Sequence, residues 1–132
     1  MTITRLDPDT LPTPIGYSQI TVAEGTRIVH VSGQVGVGLD GAAAGPDHRS
    51  QAEQALRNLV AAYEAVGATQ DDVAKVTFYI ADYGPEALGA LFEASAAVLG
   101  PDFPTPATTL IGVAALADPA HKIEVEATLV LS

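Results

Sequence analysis

Lys122-Ile123-Glu124-Val125-Glu126-Ala127 alternates apolar and acidic side chains near the carboxyl end of the chain. Successive side chains of a β-strand point to opposite faces, so this alternation predicts a strand that continues to Leu131. Glu124 and Glu126 then share one face of the sheet. Acidic pairs at this spacing are also typical of a solvated surface strand, so the pattern alone fits a functional site or an ordinary surface.

Similar alternation elsewhere predicts about six strands. The clearest, residues 72–81, places Ala74, Val76, Phe78 and Ile80 on one face and Val73, Lys75, Thr77 and Tyr79 on the other. Residues 19–22 and 27–34 flank a glycine-containing segment, which predicts a β-hairpin. Residues 105–115 and 122–131 are predicted as two closing strands, linked by a turn at Asp118-Pro119.

Apolar residues recur at intervals of three and four in two segments, which predicts two helices. The first begins at Asp47 or Ser50, with a capping-box pattern between Ser50 and Glu53, and Gly67 ends it. The second begins at Pro85 and ends at Gly100. The apolar stripes are Ala52, Ala55, Leu56, Leu59, Tyr63 and Val66 in the first helix and Leu88, Leu91, Phe92, Ser95 and Leu99 in the second.

Two helices can cover only one face of such a sheet, which indicates one two-layer α+β domain over residues 1–132. The uncovered face would expose several apolar side chains. They are Val29, Val31, Val35, Val73 and Tyr79. A patch of this kind is usually covered by a partner, so we expect a closed homo-oligomer.

Composition narrows the classes of function. Six basic against sixteen acidic residues give a net charge of −10, which repels phosphate backbones and argues against nucleic-acid binding. No apolar run approaches the roughly 20 residues needed to cross a bilayer. Residues 1–14 lack the pattern of a signal peptide, so we expect a soluble cytoplasmic protein with no membrane partner.

The residue types also bear on cofactors. The chain has no cysteine, which excludes a thiolate metal site and a cysteine nucleophile. His30, His48 and His121 have no metal-ligand spacing, and no phosphate-binding glycine loop is present. We therefore expect neither a metal nor an organic cofactor.

Four segments together resemble the signature stretches of the Rid family, also called RidA or YjgF, the reactive-intermediate imine deaminases. They are Ile15-Gly16-Tyr17-Ser18-Gln19, Val31-Ser32-Gly33-Gln34, Pro104-Thr105-Pro106-Ala107-Thr108-Thr109 and the opening stretch from Lys122 to Ala127. The resemblance covers about residues 12–131. It implies a chorismate-mutase-like fold with two helices on one face of the sheet, and a homotrimer with a small-molecule cleft at each subunit interface.

Thr108 stands where the deaminating members of the family carry an arginine. That arginine pairs with the substrate carboxylate through two parallel hydrogen bonds, which a neutral hydroxyl cannot form. Gly89 stands where many relatives have an asparagine, so the resemblance implies a wider and less polar pocket. Without the family, Thr108 is also compatible with an ordinary β-branched strand residue.

The resemblance assigns roles to the other candidate residues. Glu124 would face the cleft and position or deprotonate water, which makes it the candidate catalytic residue. Ligand contacts are expected from Tyr17, Ser32, Gly33, Gln34, Thr108 and Leu110, with His30, Gly89 and Glu126 as further candidates.

Two hypotheses on function follow. In the first, a trimeric Rid-family protein binds a small neutral metabolite and hydrolyses an imine or enamine, but not 2-imino acids in the usual way. In the second, a non-catalytic metabolite-binding or assembly protein uses the same scaffold. Chorismate-mutase chemistry would need cationic groups around a dicarboxylate, of which the chain has almost none. An arginine donated by a neighbouring subunit is the alternative source of such a cation.

Overall fold

The computed structural model describes residues 2–132 and has two α-helices, six β-strands and a short 3₁₀ helix. In chain order these are β1 (Ile3–Leu6), β2 (Ile20–Ala23), β3 (Arg27–Val35), α1 (His48–Glu64), the 3₁₀ helix (Gln70–Asp72), β4 (Val73–Ala81), α2 (Pro85–Leu99), β5 (Ala107–Val113) and β6 (Ile123–Leu131). This mixed α+β architecture, with two helices and about six strands, confirms the predicted fold class.

The main sheet has four strands in the order β3-β6-β4-β5. β6 is antiparallel to both of its neighbours, whereas β4 and β5 are parallel and are joined by α2, the crossover that a parallel pair requires. Every second residue of β6 is buried under the helices, namely Ile123, Val125, Ala127, Leu129 and Leu131. The opposite side of the sheet, here called the open face, carries Glu124, Glu126 and Thr128 of β6, so the predicted alternation is confirmed.

The predicted hairpin between residues 19–22 and 27–34 is wrong. β2 pairs with β1 in a separate two-stranded sheet, and β3 pairs with β6. The connecting segment bonds to both partners, because the Glu24 amide donates to the Thr2 carbonyl at 2.7 Å and the Thr26 amide to the Leu131 carbonyl at 2.9 Å. Strands distant in sequence therefore take the hydrogen bonds that a local turn would have closed.

The sequence pattern predicts Val73 on the uncovered face, but its side chain is fully buried in the core. The ladder between β4 and β6 shifts register between Val73 and Lys75, so Val73 pairs with Leu129, which is itself buried. Such an irregularity turns a side chain to the other face of the sheet. The strict alternation of buried and open-face side chains predicted for residues 72–81 is therefore broken at the start of β4.

Val29 and Val31 were also assigned to the uncovered face, and this too is wrong. Val31 is buried opposite Ala127, and Val29 packs against the same core. The alternation of β3 predicts which of its residues share a face, but it does not show which side of the sheet the helices cover. Val35 and Tyr79 do lie on the open face, where both are register partners of Glu124.

α1 is capped by Asp47, whose carboxylate accepts a hydrogen bond from the Ser50 amide at 2.7 Å. The pKa of Asp47 lies below its usual value, chiefly because the carboxylate accepts a hydrogen bond from the Ser50 side chain and also one from the Ser50 amide. The helix ends at Glu64, and Gly67 takes a left-handed backbone at φ +77° in the turn that follows. Val66 therefore lies beyond the helix and is exposed, whereas the rest of its predicted stripe is buried.

α2 has the predicted length, but its buried stripe is rotated. The buried residues are Ala87, Leu91, Ala94 and Ser95. Phe92 is 46% exposed, and Leu88 and Leu99 are half-buried. Leu88, Phe92 and Leu99 of the predicted stripe thus lie at the edge of the packed core, whereas its other members, Leu91 and Ser95, are buried.

Gln51 of α1 is a fully buried polar residue that links two loops. Its Nε2 donates to the carbonyls of Gly45 at 2.8 Å and Ala120 at 3.0 Å, and its Oε1 accepts from the Lys122 amide at 2.7 Å. Buried amides are stable only when paired in this way. One side chain therefore fixes the loop before α1 to the loop before β6.

Candidate functional site

The predicted site residues lie on both faces of the main sheet. Thr108 of β5 pairs with Val76, whose side chain is buried on the helix side. Glu124 of β6 pairs with Tyr79 on the open face. Within one chain, the sheet therefore separates the candidate catalytic carboxylate from the position that replaces the family arginine.

On the open face, Gly33 and Glu124 are in direct contact. A Cβ built on Gly33 would lie 1.7 Å from Oε2 of Glu124, so a side chain at position 33 would collide with the carboxylate where it now lies. The register shift between Val31 and Gln34 produces this geometry, because it lifts residues 32 and 33 out of the ladder. Gln34 Nε2 donates to the Ser32 carbonyl at 3.0 Å and closes the bulge.

Glu126 is held by a neighbour on the same face. The Tyr79 hydroxyl donates a hydrogen bond to Oε1 of Glu126. This bond is the largest cause that raises the pKa of Tyr79, since ionising the phenol would break it; partial burial and the negative charges of Glu126 and Glu124 act in the same direction. His30 is exposed on this face, with Nδ1 3.3 Å from Oγ1 of Thr128.

On the helix side, a cavity of about 440 Å³ lies between α2 and strands β4 and β5. Three of the predicted ligand contacts, Tyr17, Thr108 and Leu110, line it. Gly89 is not among its lining residues, although a Cβ added there would meet nothing within 4 Å. In the described part of the chain, none of the residues that line the cavity is charged.

Some of the residues that line the cavity are exposed to solvent, and they form its mouth. Ile15 is 79% exposed, and Tyr83 and Phe92 are about half exposed. Gly16 has φ +80°, and a Cβ built there would lie 2.7 Å from Cε1 of Phe92. Glycine at position 16 therefore permits the loop before β2 to approach α2 and narrow the opening.

Thr108 makes only a local bond within the cavity wall, since its Oγ1 donates to the Pro106 carbonyl at 3.0 Å. Of the described residues, no lysine, arginine or histidine lines the cavity. Several of these cations have partners elsewhere. Arg5 donates to the Asp71 carbonyl, Arg49 pairs with Glu53 and Glu93, and Lys122 pairs with Asp82.

Sequence reasoning missed two polar residues of the cavity. Ser95 is the one polar residue among the buried residues of α2, and it was assigned to the core stripe. Gln70 also lines the cavity, and its Oε1 is buried with no hydrogen-bond partner among residues 2–132. The sequence of α2 could have identified Ser95 as a cavity residue, because a hydroxyl among leucines and a phenylalanine is unusual in a core.

Among the described residues, no group of three or more His, Asp or Glu side chains is placed to hold a metal ion. None of the helices in residues 2–132 has the length and hydropathy needed to span a bilayer.

Comparison with known proteins identifies the family. A family model described as endoribonuclease L-PSP matches residues 9–131. A protein of Dermatophagoides farinae named 2-iminobutanoate/2-iminopropanoate deaminase is 36% identical over 125 residues, which are 91% of this chain and 90% of that protein. The chain belongs to the endoribonuclease L-PSP family, which is also called the YjgF or Rid family, and the resemblance drawn from the sequence is confirmed.

Solved structures agree with this assignment. YyfB of Yersinia pestis, a Rid-family protein of unknown function, has a TM-score of 0.89 and 33% identity, with 99% of this chain and 100% of that chain covered. A member of the YjgF/YER057c/UK114 family from Mycobacterium tuberculosis has a TM-score of 0.63 and 25% identity, with 98% and 100% covered.

Proposed function

We propose that this protein hydrolyses a neutral imine or enamine in a cleft between copies of the chain. Family membership and the 36% identity to a protein named as an imine deaminase support the reaction type. The position of Thr108 in an uncharged cavity supports the choice of a neutral substrate. This last observation carries the proposal.

A carboxylate substrate would be poorly held in such a cavity. When an ionised carboxylate moves from water into the cavity, it loses its hydration. Without a cation to pair with it, no interaction offsets this cost. The chain as a whole carries a net charge of −10, which also disfavours the approach of anions. For the same reasons, an RNA substrate is disfavoured.

The division of the site between two faces supports an interfacial cleft. Glu124 on the open face and Thr108 on the helix side cannot touch the same small ligand within one chain. In the proposed homotrimer, the open face of one copy meets the cavity mouth of the next. Ile28 and Ile111 on the open face are 68% and 41% exposed in the isolated chain, and burying them would favour this contact.

In the proposed reaction, Glu124 accepts a proton from water as the water oxygen adds to the carbon of the C=N bond. Glu124 passes this proton to the nitrogen, which gives a neutral carbinolamine. Glu124 then accepts the proton of the new hydroxyl group and delivers it to the amino nitrogen as the C–N bond breaks. A carbonyl compound and ammonia are released, and the carboxylate is regenerated. The backbone near Leu110 would help to hold the water.

The replacement Glu124→Gln tests this role, because it keeps the shape of the side chain and removes the base. We expect turnover of a neutral imine to fall by roughly 10²–10⁴-fold, with little change in melting temperature. Glu126→Gln is the matched control, since Glu126 lies on the same strand and face but is bonded to Tyr79. Equal losses in both variants, or none in Glu124→Gln, would contradict the assignment.

The alternative is a protein that binds a metabolite without turning it over. The uncharged cavity favours it to some degree, because in a single chain the cavity contains no acid or base. Under this alternative, the wild-type protein is inert towards a panel of neutral imines and enamines but binds one metabolite tightly. Glu124→Gln then only weakens that binding.

A further inference from the structure

We infer that the ligand of this protein carries an aromatic group, and that this group binds inside the cavity between α2 and strands β4 and β5. The inference deepens the proposed function by naming the substrate class, an arylalkyl imine or enamine, and it rests on that function for the reaction alone. The cavity itself belongs to a single chain.

The volume of the cavity supports a large ligand. At about 440 Å³ it falls within the roughly 300–1,000 Å³ typical of pockets for small organic molecules. A methyl or ethyl side chain, as in the imino acids named for the relative, would fill a small part of it. Water is a poor filler of the remainder, because a buried water needs two to four polar partners and the walls are mainly apolar.

The aromatic residues of the chain are concentrated around this cavity. The chain has three phenylalanines, and all of them, Phe78, Phe92 and Phe103, line it together with Tyr17 and Tyr83. Aromatic side chains favour stacked and edge-to-face contact with other rings. A wall with this composition would select a flat ring over an aliphatic chain of similar size.

The depth of the cavity indicates how the ligand would lie. Leu56, Leu59 and Leu91 form a buried floor, whereas Tyr83 and Phe92 are partly exposed at the mouth. An aromatic group on the floor would leave the polar C=N end of the molecule near the mouth. In the proposed assembly, that is the side from which Glu124 of another copy would act.

Stable amides are suitable probes, because an amide resembles the imine in shape but is not hydrolysed readily. We would measure the binding of 3-phenylpropanamide and of propanamide, which differ only in the phenyl group, to the full-length protein by calorimetry. Burying a phenyl ring contributes enough free energy that we expect 3-phenylpropanamide to bind at least about tenfold more tightly. Equal affinities, or no binding of the phenyl compound, would overturn the inference.

Ser95→Leu tests the location, since Ser95 lines the cavity and is 7% exposed. The larger side chain should occupy the cavity and weaken binding of 3-phenylpropanamide by at least about tenfold while the melting temperature stays the same or rises. Ala96→Leu is the matched control, because Ala96 is exposed on the same helix and does not line the cavity. Unchanged binding in Ser95→Leu would place the ligand elsewhere and refute the proposal.

If Ser95→Leu does not fold, Leu88→Trp fills the cavity from a half-buried position and gives the same readout. The amide comparison separates this inference from the proposed function, because it measures binding in the cavity of the wild-type protein and requires no turnover. Tight binding without turnover of any imine would retain the inference and reject the function. Turnover of small neutral imines without binding of 3-phenylpropanamide would support the proposed function and reject the inference of an aromatic ligand.

Discussion

The Cα of Gly33 lies so close to the Glu124 carboxylate that a Cβ at position 33 would be 1.7 Å from Oε2. The backbone of β3 thus determines where the Glu124 side chain can lie on the neighbouring strand β6. The atoms that would collide, Oε2, Cδ and Cγ of Glu124, all belong to a flexible side chain, and Gly33 does not have a positive φ. A side chain at position 33 should therefore displace the carboxylate without disrupting the fold.

Gly33→Ala tests this relationship. We expect the Glu124 carboxylate to rotate away and turnover of a neutral imine to fall by roughly 10²-fold, as is typical when a catalytic group moves by about 1 Å. The melting temperature should change little. Gly84→Ala is the control, because an added Cβ there meets nothing within 4 Å and should leave turnover unaffected. Full activity in Gly33→Ala would show that the present position of Glu124 is not needed.

Thr108→Arg should convert the cavity into a carboxylate site. An unpaired guanidinium in this uncharged wall is expected to lower the melting temperature, and added butyrate should restore it by pairing with the charge. Leaving one partner of a buried charge pair unpaired costs about 2–5 kcal/mol, so the shift should be readily measured by thermal unfolding.

The wild type and Thr108→Gln are the controls for this prediction, since both lack the cation, and butyrate should not stabilise either. Hydrolysis of 2-iminobutanoate should rise only in the arginine variant. Wild-type hydrolysis of that compound within about tenfold of an arginine-bearing relative would contradict the neutral-substrate proposal.

The protein should form a homotrimer in solution. Light scattering should give about three times the chain mass of 13.5 kDa, and the melting temperature should rise with protein concentration. Ile111→Glu places a charge on the open face and should shift the mass towards one chain. Leu39→Glu, in a fully exposed loop position, is the matched control and should stay trimeric. A wild-type mass of one chain at all concentrations would reject the interfacial cleft.

Tyr79 and Tyr63 should titrate at a higher pH than an ordinary tyrosine. The hydrogen bond to Glu126 raises the pKa of Tyr79, whereas burial raises that of Tyr63. For a phenol whose folded pKa exceeds its unfolded value of about 10, the contribution to stability is complete below that pH and is lost as pH rises through the folded pKa. Glu126→Gln should lower the pKa of Tyr79 and leave Tyr63 unchanged, as ultraviolet absorbance of the phenolates would show. Equal shifts of both, or of neither, would contradict the assignment.

Features that depend on neighbouring residues could be predicted from the sequence. The extent of α2 from Pro85 and the start of α1 at one of its two candidate caps follow from capping, proline and glycine, which act within a few residues; Asp47, not Ser50, is the cap. The alternation around Glu124 likewise predicts correctly that Glu124 and Glu126 share one face of β6. Each of these features is determined by contacts within one turn or one strand.

Features set by distant parts of the chain could not be predicted. The pairing of β3 with β6 joins segments about a hundred residues apart, and the register shift at Val73 exists only once β6 lies beside β4. The contact between Gly33 and Glu124 also depends on that pairing. The cavity depends on how α2 rotates over the sheet, so its lining residues Phe92 and Leu99 were assigned to the packed core.

Gln51 connects the two loops to one point on α1, and Lys122, which it binds, lies two residues before Glu124. An insertion or deletion in the loop of residues 36–46 would therefore change the position of the start of β6, although these segments are far apart in sequence. A chain whose loop differs in length would need another acceptor for the side-chain amide of Gln51 in place of the Gly45 carbonyl. The length of a surface loop is in this way tied to the alignment of the acidic strand, and the two would be expected to change together in evolution.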